Sequence, residues 1–309
     1  MSYRSYAFLF SVVMLILVTI TLWVNGKIRI DDHLASQRQI MRTLADSVAA
    51  ETGARVINLE RRLRLFAADN EHLLEDLARN PENDSARAKV LRLIADHFPE
   101  HYAFTIANQR GVPLLDDFDD SVSDLCQKDI ARFADDLRHA NQAVIHPQPF
   151  HYHFDIMTAW GSESYRGVFF LSFRPELISN LLAHREIPNF RLLLLNGDDP
   201  YLIEITAKGA RDRLGEKIRL NQEEFDRIEF SPNVPNTRWR LAVIPSPNLY
   251  SDFREDVILQ SVFVIVVYLV IAGVMMTLVS RQERERELAE EELQNAYRRL
   301  EQRMTEHPM

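Results

Sequence analysis

The stretch His151-Tyr-His-Phe-Asp-Ile156 alternates polar and apolar residues. In an extended strand successive side chains point to opposite faces, so His151, His153 and Asp155 share one face while Tyr152, Phe154 and Ile156 share the other and face a core. Neutral imidazoles and a carboxylate suit zinc, nickel or copper. Same-face neighbours on one strand stand about 7 Å apart, so a metal would need ligands from other segments. The same three residues also suit the lining of a ligand pocket or a solvated sheet edge, and His146 lies too far along to complete the set by spacing alone. Trp160, Tyr165 and Arg166 follow, where an aromatic wall and a guanidinium fork could hold a carboxylate and where plain hairpin packing accounts for the same residue types.

The other reactive types carry weaker signals. Asp116, Asp117, Asp119 and Asp120 could collect a hard cation, but they lack the DxDxDG spacing of a calcium loop and read as a solvated turn, as do Asp198 and Asp199 beside Gly197. Cys126 is the single cysteine, which rules out an intramolecular disulfide, and its place on an apolar helical stretch reads as a small buried residue. No GxSxG elbow, HExxH, GxGxxG or GxxxxGK[ST] pattern occurs, so neither an enzyme nor a cofactor is expected.

The elements that would position these residues follow from periodicity. Ile30, Leu34, Met41, Leu44, Val48, Val56, Leu59, Leu63 and Phe66 recur mostly at three, four or seven, which predicts one long amphipathic helix. Asn80-Pro81 ends a second helical stretch containing Leu73, Leu74 and Leu77, and a third begins near Asp84. From Tyr102 the pattern changes to strand, Gly111 turn and short strand, then a helix over 124–139, then strand-like runs at 143–158 and 165–173. A weaker copy of that order follows: a helix over 175–184, strands at 190–195 and 201–205, a short helix at 222–225 and a strand at 238–244. Sheets of about five short strands, with both faces needing cover, are expected.

Two apolar blocks bracket this region. Residues 7–24 form an uncharged run of about 18 residues and residues 257–280 one of about 24, each long enough for one bilayer crossing. The first lacks an Ala-x-Ala cleavage site and reads as a signal anchor. Arg281, Arg284 and Arg286 follow the second block while Glu255 and Asp256 precede it, so the positive-inside bias puts residues 281–309 and the head, residues 1–6, in the cytoplasm and residues 25–256 outside. The chain has 309 residues, 36 Lys+Arg, 45 Asp+Glu and a formal charge of -9, which argues against nucleic acid as a partner. An insert of 25–256 exceeds the roughly 100–150 residues of a typical single core, so two subdomains are expected, about 100–174 distal and 175–245 proximal.

An anchor, a long rising helix, two strand–turn–strand units and a final strand feeding a second span resemble the extracytoplasmic double Cache sensor family of bacterial receptors. The stretches that carry the resemblance are Phe104-Thr-Ile-Ala-Asn-Gln-Arg-Gly111 and Asn236-Thr-Arg-Trp-Arg-Leu-Ala-Val-Ile-Pro245. The resemblance implies an α+β fold: a long N-terminal helix with two stacked PAS-like subdomains, flanked by two transmembrane helices. It further implies a pocket for a small metabolite such as a carboxylate or amino acid, lined here by His151, His153, Asp155, Trp160, Tyr165 and Arg166, and an inner-membrane protein with a periplasmic domain. The family's amino-acid-binding signature is not evident, so no ligand is named.

Beyond the second block, Leu293, Tyr297, Leu300 and Met304 recur at four, three and four and predict a coiled-coil seam, hence a homodimer, with a single solvated helix as the alternative. Kinase, GGDEF and HAMP modules do not fit in residues 281–309, so a complete chain would pass its signal to a separate cytoplasmic protein. A membrane-anchored scaffold, or the sensor fragment of a histidine kinase or diguanylate cyclase, are the competing expectations.

Overall fold

The computed structural model describes residues 3–115, 124–136, 142–146, 152–162, 165–214 and 218–306. They form two compact units, one of Met1–Ser36 with Asn248–Met309 and one of Gln37–Pro247.

The first unit is helical. Helix α1 (Tyr3–Asp69) begins in it and helix α7 (Leu249–Glu306) ends it. Each contains a window apolar and long enough to cross a membrane, with mean hydropathy 2.6 and 2.9, and neither window is buried in the protein. Within the unit the two helices pair in opposite chain directions. Tyr268 donates to the Ser11 carbonyl at 2.8 Å, Gly26 approaches the Val257 side chain, Arg29 donates to Gln260 at 3.0 Å and His33 stacks on Phe253 with centroids 3.8 Å apart. The Arg29–Gln260 bond pairs a cation that fits the charge bias poorly with the one strongly polar residue of the second block.

The second unit takes the rest of α1, then α2 (Glu71–Arg79) and α3 (Asp84–His97), whose first turn is capped by the Asn83 side chain accepting from the Ala86 amide. Two four-stranded antiparallel sheets follow among the described residues, one strand shorter than expected. The first has the order β1-β4-β3-β2, from β1 (His101–Ala107), β2 (Ile145–His146), β3 (His153–Ser162) and β4 (Tyr165–Phe173), with α4 (Asp124–Asp135) between β1 and β2 in the chain. The second has the order β7-β6-β5-β8, from β5 (Phe190–Asn196), β6 (Ile203–Thr206), β7 (Gly209–Ala210) and β8 (Trp239–Pro245), with α5 (Glu176–Arg185) before it and α6 (Gln222–Asp226) within it.

One sequence expectation is corrected here. The run 143–158 is not one strand: Ile145 and His146 pair back onto Phe154 and His153, and Pro147 and Pro149 between them cannot donate to a ladder. The helix predicted over 124–139 is described only to Asp135, and Leu137 and His139 lie outside the described residues.

Both faces of the first sheet are covered. On one, Phe169 stacks on Phe66 of α1 and Phe173 packs edge-on to Phe98 after α3. On the other, Ala107, Met157, Val168 and Phe170 form a cluster with Cys126 and Ile130 of α4. Parity along β3 therefore sends Phe154, Ile156, Thr158 and Trp160 to the first face and His153, Asp155 and Met157 to the second. Phe154 also meets Trp239 of β8 edge-on at 5.7 Å, which ties the two sheets together.

Helix α1 reaches the second sheet through Gly53. A Cβ there would meet the Pro235 ring at 2.6 Å, so glycine, disfavoured by about 1 kcal/mol in a helix interior, is what lets the 232–238 loop lie against the helix. About two turns further along α1, Asn236 donates to Glu60 at 2.6 Å. Burial raises the Glu60 carboxyl from 4.5 to about 7, against the attraction of Arg64 and the Asn236 bond. A carboxyl raised in the folded state contributes stability that is complete below pH 4.5 and is lost as pH rises through about 7. Glu60→Gln keeps the acceptor for Asn236 and removes the charge. It is expected to raise stability at pH 8 by about 1–2 kcal/mol after solvent screening of this partly exposed group, and to flatten the profile between about pH 5 and 7. Urea unfolding at both ends of that range measures it.

Candidate functional site

The α4-facing side of β3 carries the densest polar chemistry of the described residues. The two-residue pairing of β2 with β3 sets His146 directly opposite His153, and the β3–β4 ladder sets Asp155 opposite Ser172. Helix α4 lies over this face and contributes Cys126 and Asp129. Cys126, His146, His153 and Asp155 are all at most 2 % exposed.

Their functional atoms converge. Cys126 Sγ lies 3.3 Å from His146 Nδ1 and 3.4 Å from His153 Nε2. His146 Nε2 approaches Asp155 Oδ2 at 3.4 Å and Asp129 Oδ2 at 3.5 Å, and His153 Nε2 approaches Asp155 Oδ1 at 3.6 Å. Ser172 donates to Asp155 Oδ1 at 2.6 Å. The two imidazoles stack with centroids 5.7 Å apart, and Tyr102 stacks on the outer side of His153 at the same separation.

Burial governs the charges. It lowers His146 from 6.5 to about 4, opposed by Asp129 and reinforced by Arg238, so this imidazole is neutral at neutral pH. It raises Asp155 from 3.8 to about 6, opposed by His153, Ser172 and Cys126. The approach of His146 to Asp155 is thus the contact of a neutral imidazole rather than an ion pair.

A second feature lies between the sheets. Tyr102, Tyr152, Arg174, Pro175, Glu176, Ala210 and Asp212 line a cavity of about 110 Å³. At about 30 Å³ per water that is room for some four waters, or for a solute the size of a small amino acid. One guanidinium and two carboxylates in its wall suit a ligand bearing both signs of charge.

The sequence-predicted residues separate under this geometry. His153 and Asp155 belong to the buried cluster and are not a solvated edge, because α4 covers their face. His151 lies outside the described residues, as do Asp116, Asp117, Asp119 and Asp120. Trp160, Tyr165 and Arg166 are not with the cluster. Trp160 is on the opposite face of β3, packed edge-on to Tyr165 at 5.5 Å, and Arg166 pairs with Gly161 at the far end of the hairpin, exposed. Asp199 is held by Arg219 at 2.6 Å in a turn whose amides bond to the Asn196 side chain. Cys126, read as merely apolar, and His146, set aside on spacing, are the residues the sequence reasoning missed; the β2–β3 fold-back that brings His146 across is marked in the sequence only by Pro147 and Pro149. Leu293 and Tyr297 are exposed on α7.

No family model matches the chain, and no curated protein matches it. Solved structures do. An extracellular ligand-binding receptor from Desulfohalobium retbaense matches at TM-score 0.44 and 14% identity over 65% of this chain, which spans 39% of that structure's length. The ligand-binding domain of a Pseudomonas fluorescens chemoreceptor, solved with L-valine, matches at 0.40 and 13% over 69% of this chain and 99% of that one. The sensory domain of a Campylobacter jejuni chemoreceptor matches at 0.34 and 12% over 68% of this chain and 97% of that one. The structures to which this chain is similar are thus sensory and ligand-binding domains of receptors.

Proposed function

We propose that the chain is a two-pass inner-membrane sensory receptor whose 37–247 unit lies outside the cytoplasm, binds a small solute and signals without catalysis of its own. The observation that carries this reading is continuity. Helix α1 supplies Met41, Val48, Val56, Leu63 and Phe66 to the core of the folded unit and, in the same unbroken helix, an apolar block long enough to cross a bilayer. A change in core packing at one end of such a helix is transmitted along a rigid element, and shifts of about 1–2 Å are a known switching mode. The two sheets are read as stacked PAS-like subdomains. The inter-sheet cavity, with Arg174, Glu176 and Asp212 in its lining, supports a carboxylate- or amino-acid-like solute. The exposed Leu293 and Tyr297, continued by Leu300 and Met304, support a dimeric coiled coil that hands the signal to a separate cytoplasmic protein.

The test is topological. Protease added to intact spheroplasts is expected to digest residues 37–247 while a tag after residue 309 stays protected until the cells are lysed. Complete protection of 37–247, or recovery of the protein in the soluble fraction, would overturn the reading. Arg174→Ala is expected to abolish the thermal stabilisation given by an anionic solute found in a melting screen, since mass action gives about 2.7 kcal/mol at a hundredfold excess over Kd and nothing once binding is lost.

A further inference from the structure

We infer that Cys126, His146 and Asp155, with His153 at the fourth position, form a binding site for a zinc-class transition-metal ion. The site is separate from the inter-sheet cavity and goes beyond the receptor reading. Sulfur, imidazole nitrogen and carboxylate oxygen are the zinc donors of proteins, and one ligand atom from each of Cys126, His146 and Asp155 lies within 4.8 Å of the others.

The spacing fits a ligand set. Donors about 2.0–2.3 Å from a tetrahedral ion stand roughly 3.3–3.6 Å from one another. With His146 ligating through Nδ1, the observed edges are 3.3 Å from Cys126 Sγ to His146 Nδ1, 3.4 Å from Cys126 Sγ to His153 Nε2 and 3.6 Å from His153 Nε2 to Asp155 Oδ1. A good N–H···O bond closes to about 2.7–3.2 Å, so the His153–Asp155 approach has the length of a ligand edge. The Ser172 hydroxyl donates to Asp155 Oδ1 at 2.6 Å, as an outer donor that orients a ligating carboxylate does. The other ring nitrogen of His146, Nε2, faces Asp155 Oδ2 at 3.4 Å and Asp129 Oδ2 at 3.5 Å, leaving Nδ1 toward the sulfur. Thiolate with imidazole favours zinc or copper over magnesium or calcium.

The experiment uses the full-length chain in detergent, stripped of metal, with Co²⁺ as the spectroscopic probe and Zn²⁺ as competitor. The expected result is a saturating Co²⁺ spectrum with a thiolate-to-cobalt charge-transfer band and intense d–d absorption, bleached by stoichiometric Zn²⁺. Cys126→Ser is expected to remove the charge-transfer band. Ser172→Ala, which leaves every ligand in place, is expected to weaken Zn²⁺ about 10–100-fold. The absence of a charge-transfer band in the wild-type chain overturns the inference, even if the ligand variants fail to fold. Equal Zn²⁺ affinity in the wild type and a folded Cys126→Ser or His146→Gln variant does the same. These readouts are blind to topology, so a chain that binds no metal still leaves the receptor reading standing, and a soluble chain that binds zinc sinks only that reading.

Discussion

Trp239→Ala is expected to cost about 3–5 kcal/mol, the range for truncating a large buried aromatic. Trp239 is 1 % exposed, opens β8 and meets Phe154 of β3 edge-on at 5.7 Å, so the truncation leaves a void where one sheet rests on the other. Phe154 is itself fully buried and stacks on Phe173, which passes the loss into the first sheet. Urea unfolding of the full-length chain in detergent, followed by tryptophan fluorescence and circular dichroism, checks the size. A Phe154→Ala cycle checks the mechanism, since an edge-to-face pair should couple by about 0.5–1.5 kcal/mol beyond area burial. Additive losses would show that the sheets are held together elsewhere.

The second large effect is at a buried ion pair. Glu204 is inaccessible, accepts from Asn196 at 2.7 Å and pairs with Arg211 Nε at 3.0 Å, and the Arg211 guanidinium lies over the Tyr152 ring at 5.2 Å. Arg211→Met leaves a carboxylate in the interior without its cation, for which about 3–5 kcal/mol is the usual loss. Adding Glu204→Gln should recover most of it, because two neutral groups of similar shape replace the pair. Burial already raises the Glu204 carboxyl and Arg211 opposes that rise. A raised carboxyl contributes stability at low pH that is lost as pH rises, so the Arg211→Met deficit is expected to be largest at neutral pH and to shrink on acidification. A deficit independent of pH would assign the loss to packing over Tyr152 instead of charge.

Periodicity is a local property, and what it made legible was local. The spacing of Met41, Val48, Val56, Leu63 and Phe66 gave the long helix, and the Asn83 cap marks the start of α3 where the Asp84 boundary was expected. The strands at Phe190 and Trp239 were legible as short apolar runs bounded by turn residues, Asn189 and Asn196-Gly197 around the first, Asn236 and Pro245 around the second. Half of the buried cluster was also legible, since strand parity alone puts His153 and Asp155 on one face. The other half was not. His146 reaches the site through a pairing of two residues, and Cys126 through tertiary docking of α4, and neither is encoded by spacing along the chain. Trp160 and Arg166 lie apart from the cluster for the converse reason: parity and hairpin length carry them away from His153 despite their nearness in sequence.

The strand that presents His146 is too short to hold its own position. Just upstream, Ala143 forms a parallel bridge with Thr237, with the Ala143 amide on the Asn236 carbonyl at 3.2 Å and the Arg238 amide on the Ala143 carbonyl at 2.9 Å. This imidazole is therefore leashed to the far sheet by a three-residue tether, and inserting one residue at 144 would turn the ring to the reverse side of its strand. Any hinge that slides one sheet along the other must drag His146 relative to Asp155, so rigid-body displacement at the loop 236–238 is converted directly into a change of bond lengths among the polar side chains beneath α4.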